Sequence, residues 1–417
     1  MSAFSRNDQA DVYSSASPVL QSQRLPTQLT AFAELIGASR LILEGFDGVT
    51  DTVEAMHRNI TGLAPVVGPG RPGRTRGITG LVYRNIRRVS ALVGMGMDTS
   101  LRQLAPLLPE PESTPSRDAV RAALNGVLGD YLVASDNPLA IPMALRSGGE
   151  ALTLEREALA AAFPQPSHRM MVWVHGLCMS DHQWQRNGHD HGLALGRELG
   201  YTPVYLRYNS GRPVADNGRD FADLLETLVR QWPVPLRELV IVGHSMGGLV
   251  SRSACLRAEA AGHRWPKRLS KMIFLGTPHH GSALERLGNR VETLLGISPY
   301  SAPIGRLGRV RSAGIQDLRE GNIHHGDAAS GESCKRGTLP PGTLCYTVAA
   351  SQASDAASFL KRGDGLVPLH SALGQHRDPD RCLPIPVSRQ AVFHGLNHFD
   401  LLDNQQVYQR LRKFIEA

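Results

Sequence analysis

The apolar run Leu239-Val240-Ile241-Val242 passes directly into Gly243-His244-Ser245-Met246-Gly247-Gly248, and a helical pattern follows to about residue 259. An apolar run ahead of this motif, with a helix after it, suits a strand–turn–helix unit of an α/β sheet. A serine between such a strand and a helix requires a sharp turn. The backbone closes there only if the positions two before and two after the serine lack a Cβ. The turn lifts the hydroxyl above the sheet edge, over the positive end of the next helix. Ser245 is therefore the candidate nucleophile.

From residue 167 onward the pattern is of short apolar strands alternating with helices, which predicts an α/β fold with a mostly parallel sheet. The strands are expected at about 170–174, 203–208, 238–242, 271–275, 344–349 and 391–394. A helix over 219–230 follows from Phe221, Leu224, Leu225, Leu228 and Val229, and one over about 404–416 from Val407, Leu411, Phe414 and Ile415. The stretch 282–338 interrupts the alternation and is long for a connection. Its mixture of apolar residues and arginines suits a lid over the site.

Ahead of residue 166 the chain is different. Residues 1–26 are rich in Ser, Gln and Asp, lack the apolar core of an export signal, and read as a disordered tail. Residues 27–165 read as a helical N-terminal region broken by Pro/Gly-rich loops at 65–73 and 106–115. In its clearest helix, 78–93, Ile78, Leu81, Val82, Ile86, Val89, Leu92 and Val93 share one face, opposite Arg84, Arg87 and Arg88. That face packs on protein or lies on an anionic membrane surface. The expected division is thus 1–26, 27–165 and a catalytic domain over 166–417.

Composition narrows the function. The formal charge is +7, and residues 1–165 carry 15 basic against 16 acidic side chains, so the excess lies in the remainder. There the basic groups are interspersed with acids, so no nucleic-acid tract is expected. No apolar run approaches the roughly 20 residues that span a bilayer. The five cysteines fit no zinc-ligand spacing and suit free thiols of a reducing compartment. No metal or cofactor is expected. The location expected is cytoplasmic, with peripheral membrane contact as an option.

A serine nucleophile needs three further groups. Two backbone donors must face the oxyanion. Met246 N–H, just after the nucleophile, is one. The turn His175-Gly176-Leu177-Cys178, after the strand at 170–174, offers Leu177 N–H as the other, with Gly176 permitting close approach. The order Ser, Asp, His requires an acid after a later strand and a base near the C-terminus. Asp364, within Gly363-Asp364-Gly365-Leu366-Val367-Pro368, is the preferred acid and Asp355 its rival. His398, within Leu396-Asn397-His398-Phe399-Asp400, is preferred as base over His394, which sits within a strand end. His175, Gly176, His244, His279 and His280 are expected to line the site.

With these residues in place, residues 167–417 resemble serine lipases and esterases of the α/β-hydrolase superfamily, in particular bacterial proteins similar to the GPI inositol-deacylase group. The elements that carry the resemblance are Val172-Trp-Val-His-Gly176, Val242-Gly-His-Ser-Met-Gly-Gly248, Leu275-Gly-Thr-Pro-His-His-Gly-Ser282, Gly363-Asp-Gly-Leu-Val-Pro368 and Asn397-His-Phe-Asp-Leu-Leu402. The resemblance implies an α/β-hydrolase sheet without the usual first two strands. It also implies cleavage of an apolar ester or acyl lipid through a Ser-His-Asp triad. Some such lipases hold calcium through an Asp two residues after the catalytic His. Asp400 and Asn404 echo that arrangement, although capping the last helix is the role expected of Asp400. An acyltransferase, thioesterase or amidase would use the same groups. A non-catalytic protein on a hydrolase scaffold is the other class of reading.

Overall fold

The computed structural model describes residue 37 and residues 115–282, 312–324, 339–353 and 363–417. The expected helix at 78–93, the rival acid Asp355 and most of the expected lid lie outside the described residues.

Eight strands form one sheet in the order β2-β1-β4-β3-β5-β6-β7-β8. They are β1 (Ala144–Ser147), β2 (Glu150–Ala151), β3 (Arg169–Val174), β4 (Thr202–Arg207), β5 (Glu238–His244), β6 (Leu269–Leu275), β7 (Leu344–Ser351) and β8 (Gln390–His394). The six strands β3 to β8 pair in parallel. They are the six expected, each within two residues of its predicted ends. The short hairpin β1–β2 extends the sheet, with β1 antiparallel to β4. Two strands thus precede β3, where the resemblance implied none. Leu145 is the only buried residue in β1, and β2 has none, so neither leaves an apolar run to read.

The helices are α1 (Pro115–Ala134), α2 (Arg156–Ala162), α3 (His191–Leu199), α4 (Val214–Gln231), α5 (Met246–Ala260), α6 (Ala313–Glu320), α7 (Leu369–Ala372) and α8 (Gln405–Glu416). Capping sets several boundaries. Asp190 accepts from Leu193 N–H at the start of α3, and Gly200 ends it in the left-handed region. Asn404 accepts from Gln406 and Val407 N–H at the start of α8.

Alternate residues of the central strands enter two cores. Met170, Val172 and Val174 of β3 join Phe221, Leu225 and Leu228 of α4 and Leu249 and Val250 of α5. Met171 and Trp173 join Leu195 of α3 and Val407, Leu411 and Phe414 of α8 on the other face. Burial on both faces is why these strands read as unbroken apolar runs. Ala123 and Val127 of α1, Leu145 of β1 and Leu159 of α2 belong to the first core, so residues 115–162 share the interior of the sheet.

An ionic cluster fastens α1 to the sheet edge. Asp118 of α1 bonds to Arg207 Nη2 of β4 at 2.8 Å and to His182 Nε2 at 3.0 Å. Asp181 bonds to Arg207 Nε at 2.5 Å and to Arg146 Nε of β1 at 2.9 Å. Burial alone would raise the pKa of Asp118, but the hydrogen bonds from His182 and Arg207 outweigh it and hold the carboxyl well below its usual range. A depressed folded-state value stabilises the protein above the unfolded value, about 4, and that contribution is lost as the pH falls below it. Asp118→Asn should therefore lower the urea midpoint at neutral pH and flatten the loss of stability below about pH 4. Urea denaturation across that range measures this, and parallel acid limbs for both proteins would show that the cluster is not the cause.

Candidate active site

The site is built where the C-terminal ends of β3, β5, β6, β7 and β8 meet. Ser245 joins β5 to α5 with φ 54° and ψ −124°, a conformation rare for a residue with a side chain. Its N–H donates to Leu275 O of β6 at 2.8 Å. The turn is as crowded as the sequence implied. A Cβ at Gly243 would lie 2.6 Å from Gly248 N, and one at Gly247 would overlap the Val174 carbonyl oxygen of β3. Ser245 is buried, 5% exposed.

Asp364 and His398 come together. His398 Nδ1 lies 2.6 Å from Asp364 Oδ2, with both side chains 1% exposed. The two loops are also joined through the backbone, because His398 N–H donates to Asp364 O at 3.1 Å. Asp364 Oδ1 accepts from Leu366 N–H at 2.9 Å and Val367 N–H at 2.8 Å, which fixes the orientation of the carboxylate. His398 Nε2 is buried without a hydrogen-bond partner. Ser245 reaches the same place through its neighbours. His244 Nε2 donates to His398 O at 3.2 Å, and the two rings lie 4.6 Å apart. Gly276, next to the Leu275 that binds Ser245 N–H, lies directly against the His398 ring. The rival base His394 is exposed at the end of β8.

Met246 follows Ser245 in the chain and Leu177 follows Gly176, and both are buried. Met246 opens α5, so its N–H is among those with no acceptor inside the helix. The Gly176 Cα is close enough that an added Cβ would lie 3.0 Å from Ser245 Cβ. Cys178 N–H is taken by Ser210 Oγ at 3.0 Å, which removes Cys178 as an oxyanion donor.

The other expected residues are placed as follows. His175 is fully buried and stacks on Tyr208 at 4.3 Å, and the Tyr208 hydroxyl donates to His175 O at 2.8 Å. Burial brings its pKa down to about 4. His244 is pushed well below the usual histidine value, first by burial and then by His398. Both rings are neutral near pH 7. The side chain of His279 is buried and meets Arg252 at 3.3 Å and the edge of Phe274. His280 lies near His376, with ring centroids 5.0 Å apart. Asp400 does not cap the last helix. Asn404 does, and Asp400 Oδ2 accepts from Asn397 N–H at 2.7 Å, bracing the turn that carries His398. No group of three or more acidic, His or Cys side chains among the described residues could hold a metal ion. Tyr208 and Ser210, which hold the loop at 175–178, went unnoticed in the sequence. They follow the apolar run of β4 and form no motif.

The sheet order, the parallel strands and the serine turn define a domain of the α/β-hydrolase type. Residues 165–295 match the family described as PGAP1-like alpha/beta domain. Among solved structures the chain is similar to the mature lipase BlEst2 of Bacillus licheniformis. The two are 21% identical, 60% of this chain and 93% of that one are covered, and the TM-score is 0.41. It is also similar to an esterase of Pyrococcus furiosus, at 13% identity over 60% of this chain and 82% of that one, with a TM-score of 0.39. No curated protein sequence matches significantly. No helix among the described residues is long and apolar enough to cross a membrane.

The tight turn yields a prediction. Gly247→Ala should destabilise the protein by about 2 kcal/mol or more, because the methyl group and the Val174 carbonyl cannot occupy the same space. Urea denaturation reads the effect, and a change below about 0.5 kcal/mol would mean that the turn relaxes freely.

Proposed function

We propose that the protein is a serine hydrolase that cleaves carboxylic esters through an acyl-enzyme. The reading rests on one observation above all: a buried imidazole bonded to a fixed carboxylate through one nitrogen, its other nitrogen without a hydrogen-bond partner, and its ring 4.6 Å from His244, the residue before a strained serine.

His398 Nε2 takes the Ser245 hydroxyl proton as the oxygen attacks the ester carbonyl. Asp364 Oδ2 accepts from His398 Nδ1–H, which fixes the tautomer and stabilises the imidazolium that forms. Met246 N–H and Leu177 N–H receive the negative charge of the tetrahedral intermediate. His398 then returns the proton to the departing alcohol, and water repeats the sequence on the acyl-enzyme. The substrate is an apolar ester, an acyl lipid or similar. Burial of Ser245, His398, Leu177 and Met246 supports such a group. The match of residues 165–295 to the PGAP1-like domain is in keeping with this chemistry.

Ser245→Ala should lower kcat for a soluble nitrophenyl ester by about 10³-fold or more and abolish fluorophosphonate labelling, with the unfolding midpoint nearly unchanged. His398→Ala should be about as damaging, since the two groups act as a unit. Asp364→Asn should cost less, yet still orders of magnitude, by favouring the wrong tautomer. Near-normal turnover by purified Ser245→Ala would remove Ser245 as nucleophile. A mild Asp364→Asn beside a crippled Asp355→Asn would transfer the acid's role to Asp355.

A further inference from the structure

Helix α1 precedes the sheet in sequence but lies against the loop assigned to the oxyanion. The Cys178 thiol bonds to Ala123 O of α1 at 3.8 Å, and Gly126 of α1 is so close that a Cβ there would overlap Cys178 Sγ and lie 3.0 Å from Cys178 N and Cα. Cys178 has φ 59°, a left-handed conformation that costs energy in a residue with a side chain and persists only where its surroundings hold it.

The partner of Cys178 N–H is also held by α1. Ser210 Oγ accepts that N–H, and the Ser210 segment is pinned on both sides. Asn209 Nδ2 donates to Gly129 O of α1 at 2.9 Å, and Gly314 N–H donates to Gly211 O at 3.0 Å. Ser312 Oγ donates to Gly126 O at 2.7 Å, and Ala313 N–H donates to Asp130 Oδ2 at 2.9 Å, so α6 is tied to the same face of α1. The first turn of α1 is tied down separately, through Asp118, His182 and Arg207, and His182 lies four residues beyond Cys178. The loop is therefore gripped at Cys178 from two directions and held again just downstream.

We propose that α1, with Gly126 and Ser210, is a positioning element of the reaction centre that fixes the loop at Cys178 and so aims Leu177 N–H at the oxyanion. The proposal rests on the hydrolase reading above and on Leu177 as a donor. It gives the segment ahead of the sheet a part in turnover, beyond its share in the core. An oxyanion donor contributes only when its direction is fixed before charge develops, so displacing the loop should lower kcat more than it weakens substrate binding.

The test uses the full chain, a soluble nitrophenyl ester, and rates normalised to the fraction of protein that fluorophosphonate labels at completion. Gly126→Ala raises intrinsic helix propensity, yet it should lower kcat by about tenfold or more, with KM within about twofold. Placing Cys178→Gly in the same chain removes the overlapping sulfur and suits φ 59°, and it should recover a large part of the lost kcat. Ser210→Ala, which leaves Cys178 N–H without its acceptor, should lower kcat in the same manner and decides the matter if Gly126→Ala does not fold. Unchanged kcat in the folded variants, or losses that follow the labelled fraction and show no recovery with Cys178→Gly, would overturn the positioning role. Those results would leave the hydrolase reading intact, because it stands or falls with Ser245→Ala.

Discussion

Where β5 becomes α5 there is no room for side chains on the inner side of the turn, and the rest of the site is arranged around that crowding. A residue such as Ser245 held at positive φ costs on the order of 1–3 kcal/mol and persists only where its neighbours over-determine it. Those neighbours are identifiable. Leu275 O of β6 takes the Ser245 N–H, the Val174 carbonyl of β3 presses on Gly247, and Gly248 presses on Gly243. The ends of three adjacent strands thus hold the turn. Its strain is sustained by the parallel pairing of β3, β5 and β6, two of the strands being fully covered along most of their length.

Charge is distributed with a similar economy. The imidazole that would become cationic during turnover, His398, has one fixed anion, Asp364, and its nearest aromatic neighbour His244 is kept neutral by burial. A second cation at that separation would oppose formation of the imidazolium, since charges this close interact strongly in a poorly hydrated interior. The ionised groups Asp118, Asp181, Arg146 and Arg207 are instead collected at the β1–β4 edge, where each carboxylate meets a guanidinium and the cluster fastens α1. Removing one member of such a cluster leaves a partner buried without compensation, so the cluster fixes the geometry of α1 and loses stability when it is broken.

Much of this was legible in the sequence, for a physical reason. Strands β3 and β5 to β7 are buried on both faces and leave apolar runs; Ser245 directly follows β5, and Asp364 and His398 lie in turns marked by Gly or Asn that come after β7 and β8. The less legible parts owe their structure to contacts distant in sequence. Hairpin β1–β2 is held by pairing with β4 and buries one residue. Helix α4 starts at Val214, five residues before its apolar pattern suggests. Its first turns contain Asn217, which donates to Asn209 O, and Gly218, which packs against Ser253, and neither is a helix-forming residue by habit. Asp400 and Asn404 are both good capping residues, and sequence spacing alone does not decide which one a helix will use. The answer came from Asn397, whose N–H occupies Asp400.

A parallel sheet brings all its strand C-termini to one edge, which is why groups more than 200 residues apart in the chain can form one centre. The strand order then assigns them to sides. With β5 in the middle, the loop bearing Leu177 arrives from β3 on one flank, and Asp364 and His398 arrive after β7 and β8 on the other. With Leu177 as the proposed donor and His398 as the proposed base, the topology itself separates two groups that must act on opposite sides of one carbonyl. The base side is braced within the sheet's own loops, by Asp364 O, Leu366 N–H, Val367 N–H and Asp400. Among the described residues the donor side has β4 and the short β1–β2 hairpin beyond β3. Helix α1 and the Ser210 turn lie on that flank, where the sheet alone offers least support.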